Sequence, residues 1–260
     1  MQLQAHVGKL KGSVKNKDNR TAKLLRNWDD IRTKMEQYIE AGRGITVRAR
    51  VAYGVLLMME TGIRIGNETS AEGYICDQKH HASYGKKIQV YGLTTILKSH
   101  TRQSNSGSII LEFLGKKAVH QTLRTSNAVL RKYYHIIGDQ SRSLGYQTWL
   151  GVDYGDIYNF VKKSIGRQFK PKDIRTAAVN LLFLKKMQQT EIMRKPWQNK
   201  SEANKALKMV VEATASEIGH TPGVCKSAYL SRSLQAVIKE RLYESVQQRK
   251  VNARHARYYK

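Results

Sequence analysis

Five side chains, in the order arginine, lysine, arginine, histidine, tyrosine, have types that could act together on a phosphodiester. They sit in four short segments. These are Thr61-Gly62-Ile63-Arg64-Ile65-Gly66-Asn67-Glu68, Phe113-Leu114-Gly115-Lys116, Lys172-Asp173-Ile174-Arg175-Thr176, and Gly219-His220-Thr221-Pro222 with Tyr229 nine positions beyond the histidine. A phenol oxygen is a nucleophile able to form a covalent ester at phosphorus. Planar guanidinium forks fit a pair of non-bridging phosphate oxygens and stay charged at any working pH. An imidazole can add a hydrogen bond to the same oxygens, and an ammonium beside other cations is a suitable proton donor to a leaving oxygen. Taken singly, each residue has a plainer explanation. A lone arginine is usually at the surface or ion-paired, and Thr221-Pro222 reads as a helix start with the threonine as cap and the proline first. One tyrosine among 14 is usually half-buried core. Their succession in one chain favours a shared site.

In order and gaps, these segments resemble the active site of type IB DNA topoisomerases, above all the small viral and bacterial, poxvirus-like branch. Tyr91-Gly92-Leu93-Thr94-Thr95, ahead of the lysine, also matches that family, and the likeness covers roughly 54–230. The resemblance implies that Tyr229 is the nucleophile and carries the cut DNA strand as a 3′-phosphotyrosyl ester. Arg64, Arg175 and His220 would stabilise the charge on the non-bridging oxygens, where one donor is typically worth ~10²–10³ in rate. Lys116 would protonate the departing sugar oxygen, help usually worth ~10²–10⁴. Lys117 adjoins it, and spacing does not separate the two as proton donor. Because cationic side chains neutralise the phosphate, no metal or other cofactor is expected, and with no Walker loop no ATP either. A zinc site would have to be assembled from Cys76, His80, His81 and Cys225; the last lies on the tyrosine segment, and metal is not expected. Lys172, Asn180, Thr221, Lys226 and Lys117 are expected to grip DNA, with Ser227 and the basic run Arg249, Lys250, Arg254, Arg257 and Lys260 as further candidates.

The match also departs from the family. Viral members place a small β-rich domain ahead of the catalytic one, and the two close as a clamp. Here 63 residues precede Arg64, so most of that domain is expected to be missing. Ala228 stands where a small polar residue is usual. A tyrosine recombinase or integrase is the rival enzyme. It normally has histidine three before the second arginine, where this chain has Lys172, and Ser-Glu after the first arginine, where this chain has Gly66-Asn67-Glu68. A catalytically weak architectural DNA binder is the non-enzymatic alternative.

The rest of the chain bounds these readings. Of 260 residues, 46 are Lys or Arg and 20 Asp or Glu, giving +26 and a pI of about 10.1. Such an excess calls for a polyanion, and double-stranded DNA is the expected partner. Two cysteines make no disulfide framework. The longest apolar stretch, near 55–59, is too short to span a bilayer, and the first residues lack a secretory pattern. The expectation is an intracellular, DNA-associated protein with no membrane partner, in a bacterial cytoplasm or nucleoid, or a virus particle or replication site. It would act as a monomer, with a helper subunit replacing the clamp as the open alternative.

Periodicity gives a mainly α fold with a small antiparallel β-sheet (α+β). The resemblance implies the DNA breaking–rejoining catalytic fold shared with tyrosine recombinases. Residues 1 to about 18 read as a flexible basic arm. A helix is predicted from Asn19 through Ile39, ended by Gly42 and Gly44, and another from about Val47 to Thr61-Gly62. Three strands follow, at 87–98, 109–113 and 119–123, the last two joined by a turn at Gly115 and the lysines. Helices resume behind a Ser126 cap, then near Pro171, near Ser201 and over 234–248. The division expected is 1–44 as arm and helix and 45–260 as catalytic domain.

Overall fold

A computed structural model of the chain describes residues 12–66, 68–76, 82–192 and 197–258. They fall into two compact units. The larger comprises Lys23–Ala178 with Glu217–Gly219; the smaller takes the chain up to Ala22, Val179–Ser216 and the residues from His220 onward. The units part within the first helix.

Helices α1 (Gly12–Arg26) and α2 (Trp28–Ala41) stand where a single helix was expected, and residues 1–11 of the expected arm lie outside the described residues. The three-and-four spacing of Leu24, Trp28, Met35 and Ile39 runs across the break at Asn27, and all four are buried. Upstream, the same stripe continues through Asp18 and Thr21, both buried, so residues 12–18 are helix and not arm.

Helix α3 (Val47–Thr61) is buried at every position from Ala49 to Met59. A helix apolar all round belongs at the centre of its unit. Its one buried charge is anchored through Nη1: Arg50 donates to the carbonyls of Leu150 and Gly151 at 3.1 and 3.0 Å. Thr46 caps the start by accepting from Ala49 N–H, and Gly62, at φ 64°, ends it as expected.

After the short α4 (Glu68–Glu72), strands β1 (Tyr74–Ile75) and β2 (Lys87–Ile88) pair with each other. A separate antiparallel sheet contains β3 (Thr101–Gln103), β4 (Ile109–Gly115) and β5 (Val119–Thr125). The β4–β5 hairpin closes from Ile109 opposite Thr125 to Gly115 opposite Val119, around the turn Lys116–Ala118. The strand expected over 87–98 pairs at its first two residues and, near its other end, in an isolated antiparallel bridge between Leu97 and Thr148. Val90, Leu93 and Ile96 are buried, but as anchors of an irregular segment. Thr101–Gln103 takes the third place in the sheet.

Helix α5 (Ala128–Ser143) is capped by Asn127, whose Oδ1 accepts from Leu130 N–H at 3.0 Å, one residue after the expected Ser126. Helix α6 (Tyr154–Ser164) was not expected. Its start is fixed by reciprocal bonds between Asp153 and Asp156, a device worth about 1 kcal/mol. Helix α7 (Pro171–Gln189) begins where the sequence put it, followed by α8 (Lys200–Glu217) and a longer α9 (Arg232–Tyr258). In the smaller unit, Phe183 and Met187 of α7, Leu207, Val210 and Val211 of α8, and Leu234, Val237, Ile238 and Leu242 of α9 are buried. The described fold is mainly α with small antiparallel β elements. No helix among the described residues is long and apolar enough to cross a membrane.

Candidate functional site

Arg64 follows the stop of α3. Thr61 Oγ1 donates to Leu57 O at 2.7 Å and accepts from Ile63 N–H, and Ile63 is buried, so the chain leaves the helix in a fixed direction. Arg64 and Ile65 then pair through their carbonyls with the N–H groups of Leu93 and Thr94 at 2.7 and 2.8 Å. Thr94 Oγ1 adds a bond to Ile65 O at 2.9 Å. The two backbones touch at glycines: a Cβ on Gly92 would lie 2.6 Å from Gly66 Cα and 2.7 Å from Arg64 O. The irregular 89–97 segment is therefore the shelf on which the half-buried Arg64 is seated. Asn67, in the same motif, lies outside the described residues.

Lys116 and Lys117 occupy the β4–β5 turn, and both are exposed. Lys117 and Ala118 have positive φ, 66° and 57°. On β5, Gln121 Nε2 donates to Gly219 O at 3.3 Å, and its amide leaves no room for a Cβ on Gly219. The lysine hairpin is thus tied to the residue just before His220.

Arg175 is in the second turn of α7. Pro171 is pre-set for a helix start. Asp173 reaches back so that its Oδ2 accepts from Lys170 N–H at 3.0 Å. Arg175 is 5% exposed, while Lys172, one turn earlier, is exposed. Arg64, Lys116, Arg175 and Lys172 all belong to the larger unit.

His220 and Tyr229 belong to the smaller unit and are in ring contact, with centroids 5.0 Å apart and planes 28° from parallel. The local sequence explains the histidine's position. Gly219, at φ 62°, ends α8, and His220 N–H returns to Ala215 O at 2.8 Å, the closing bond of a Schellman stop. Thr221 immediately caps the next turn, Pro222–Val224. The plain reading of Thr221-Pro222 as a helix start is therefore correct, and it is compatible with a site, because the stop and the start leave His220 alone between them. The chain then widens into a five-residue π turn, Cys225–Tyr229, closed by Leu230 N–H to Cys225 O at 3.0 Å. Such turns recur at functional sites because they re-aim side chains. Burial pushes the Cys225 thiol up to about 11, so it stays protonated at neutral pH and does not compete as a nucleophile.

The expected DNA contacts divide. Lys172, Lys117, Thr221, Lys226 and Ser227 are exposed. Asn180 is not: it is fully buried, with Nδ2 donating to Tyr229 O and Oδ1 accepting from Ser231 N–H, each at 2.9 Å. Its amide holds the tyrosine segment at both ends. Two residues that sequence reasoning passed over touch the same segment. Lys17 Nζ donates to Ala228 O at 2.5 Å, and Asp18 accepts from Ser231 and Ser233. Their signal was available, since Asp18 lies on the apolar stripe of α1. His80, His81 and Lys260 lie outside the described residues, as do the side chains of the basic run from Arg249. A cavity of about 590 Å³ in the larger unit is lined by Glu68, Glu72, Asp153 and Asp156, the wrong sign of charge for phosphate.

A family model described as "Eukaryotic DNA topoisomerase I, catalytic core" matches residues 9–255. The DNA topoisomerase 1B of Acanthamoeba polyphaga mimivirus is 25% identical over 157 residues, 56% of this chain and 46% of that protein. The DNA topoisomerase 1 of Rabbit fibroma virus (strain Kasza) is 26% identical over 199 residues, 70% of this chain and 52% of that protein. The DNA topoisomerase 1B of Vaccinia virus (strain Copenhagen) is 25% identical over 173 residues, 63% and 50% of the two chains. The chain spans about half the length of the curated relatives it matches.

Proposed function

We propose that this chain, which belongs to the family of the eukaryotic DNA topoisomerase I catalytic core, relaxes supercoiled DNA by cutting one strand and resealing it, without ATP or metal. The observation that carries this reading is the ordered set of arginine, lysine, arginine, histidine and tyrosine in a chain of that family, with the last two rings stacked at 5.0 Å.

The chemistry follows from the residue types. Tyr229 Oη attacks phosphorus, and the new P–O bond forms as the bond to the 5′ oxygen breaks. The products are a 3′-phosphotyrosyl ester and a free 5′ hydroxyl. One ester replaces another, so the bond energy is kept and resealing needs no nucleotide. Arg64, Arg175 and His220 hold the non-bridging oxygens as negative charge gathers on them. Lys116 gives its proton to the departing oxygen, and the proton that the Tyr229 phenol releases on attack passes to solvent, from which the lysine is recharged. Lys172, Lys117, Thr221 and Lys226 hold neighbouring backbone phosphates, and the protein acts on duplex DNA as a monomer, through the fold shared with tyrosine recombinases.

Plasmid relaxation in EDTA tests the reading. Supercoiled DNA is expected to become a ladder of relaxed topoisomers with no nucleotide present. Protein inactive at every salt concentration tried would overturn the proposal, and strand exchange between two duplexes would favour the recombinase instead. The charge of +26 adds a second expectation. Each phosphate neutralised releases counterions, so DNA affinity should fall on the order of 10³-fold between about 50 and 200 mM salt. A binding isotherm that ignores salt would contradict this.

A further inference from the structure

We propose that α1 is a brace for the nucleophile. Asp18, assisted by Lys17, fixes the backbone on both sides of Tyr229, which makes Asp18 a positioning residue for strand cleavage. The proposal rests on the reading of Tyr229 as nucleophile.

Asp18 is 1% exposed, in a chain where acidic residues are outnumbered 46 to 20. A buried carboxylate must be fully hydrogen-bonded to be tolerable. Its Oδ2 accepts from Ser231 Oγ at 3.0 Å, Ser233 N–H at 2.9 Å and Ser233 Oγ at 2.8 Å. These serines flank Arg232, the first residue of α9. A helix start leaves N–H groups without intrahelical partners and carries partial positive charge, and a carboxylate answers both. Caps usually come from the residue just before the helix. Ser231 supplies that local cap by accepting from Leu234 N–H at 3.2 Å. Asp18 is a second cap, brought from the other end of the chain.

What the cap controls is the position of the tyrosine. Lys17 holds Ala228 O, immediately before Tyr229. Asn180 holds Tyr229 O and, with its other end, Ser231 N–H. Asp18 holds Ser231 and Ser233. Side chains from α1 and α7 thus grip the main chain or hydroxyls at 228, 229, 231 and 233. The π turn that carries Tyr229 is a single wide turn closed by one bond, Leu230 N–H to Cys225 O at 3.0 Å, and the residues on either side of Tyr229 are held by side chains from other elements. A nucleophile must lie within a few tenths of an ångström of its line of attack, and a displacement of about 1 Å can cost ~10²-fold in rate.

The test uses the full chain and a duplex whose short downstream strand is lost after cleavage, so that the covalent adduct accumulates. Adduct formation is followed in a single turnover at saturating DNA, giving a rate constant and an end-point amplitude, alongside DNA affinity. Asp18→Ala is expected to lower the rate constant ~10²-fold while amplitude and affinity stay within about twofold of wild type. Asp18→Asn keeps an acceptor oxygen at the same reach and should recover much of the loss. Ser233→Ala should slow cleavage in the same sense but less. A structural role alone would lower the amplitude through unfolded protein and leave the rate constant intact, and that result overturns the proposal. So does a wild-type rate constant in Asp18→Ala or, should that variant not fold, in Ser233→Ala. Tyr229→Phe is run in parallel. If it still forms adduct, the nucleophile is misassigned. If it does not, while the Asp18 variants cleave at the wild-type rate, the brace alone is wrong.

Discussion

Tyr229→Phe is expected to form no covalent adduct with DNA on denaturing gels, and its relaxation to fall on the order of 10⁵–10⁶-fold, the scale expected when a catalytic nucleophile is removed. The substitution takes away one oxygen and little else. The ring can keep its 5.0 Å stack on His220 and its buried seat. The backbone grip of Asn180 on residue 229 acts through the carbonyl, which phenylalanine retains. DNA affinity should accordingly stay within about threefold of wild type, since affinity comes from cations on phosphates and not from the phenol. Loss of adduct with retained binding is the combination that identifies the nucleophile. An adduct that persists moves the role to another of the 14 tyrosines.

Much of this arrangement could be read from the sequence wherever the local signal was decisive. The helix ending at Gly62 ahead of Arg64 was visible because apolar spacing stops at a glycine, and the glycine indeed has positive φ. The β4–β5 hairpin was visible because two apolar runs flank a glycine and two lysines. The helix start at Thr221 was visible from its cap and proline.

The misses share a different cause: tertiary demand overrode local pattern. Residues 87–98 have strand composition, yet their backbone is spent seating Arg64 and Ile65, and Gly92 is placed for close approach and not for pairing. That contact also gives a physical reason for the Tyr91-Gly92-Leu93-Thr94-Thr95 phrase that made the chain resemble its family. Asn180 was expected to grip DNA. It is buried because a side-chain amide, with one donor end and one acceptor end, can satisfy two main-chain groups of a segment 49 and 51 residues away. Asp18 falls in a stretch that reads as polar and basic, with few large apolar groups. No local rule identifies a partner 213 residues distant, although its place on the apolar stripe marked it as inward-facing.

Lys116→Ala should slow cleavage by ~10²–10⁴, the usual worth of a general acid. Lys117→Ala should leave the single-turnover rate within about threefold and reduce mainly DNA affinity and its salt slope. The two lysines are adjacent and both exposed, so charge alone does not choose between them. Backbone geometry helps. Along β4, Glu112 and Leu114 are the more open positions and Phe113 and Gly115 the buried ones, so Lys116 is next in the outward series. Lys117 sits in the left-handed region at φ 66°, at the crest of the turn. A substrate with sulfur in place of the bridging 5′ oxygen then separates proton donation from simple charge. A thiol ionises near pH ~8.5, far below a sugar hydroxyl, so a sulfur leaving group departs without being protonated. Sulfur should restore Lys116→Ala to near the wild-type rate while leaving Arg175→Ala impaired, because the guanidinium acts on the non-bridging oxygens, which sulfur does not change. Rescue of Lys117→Ala instead would shift the donor by one residue, and rescue of neither would mean that the hairpin supplies charge and no proton.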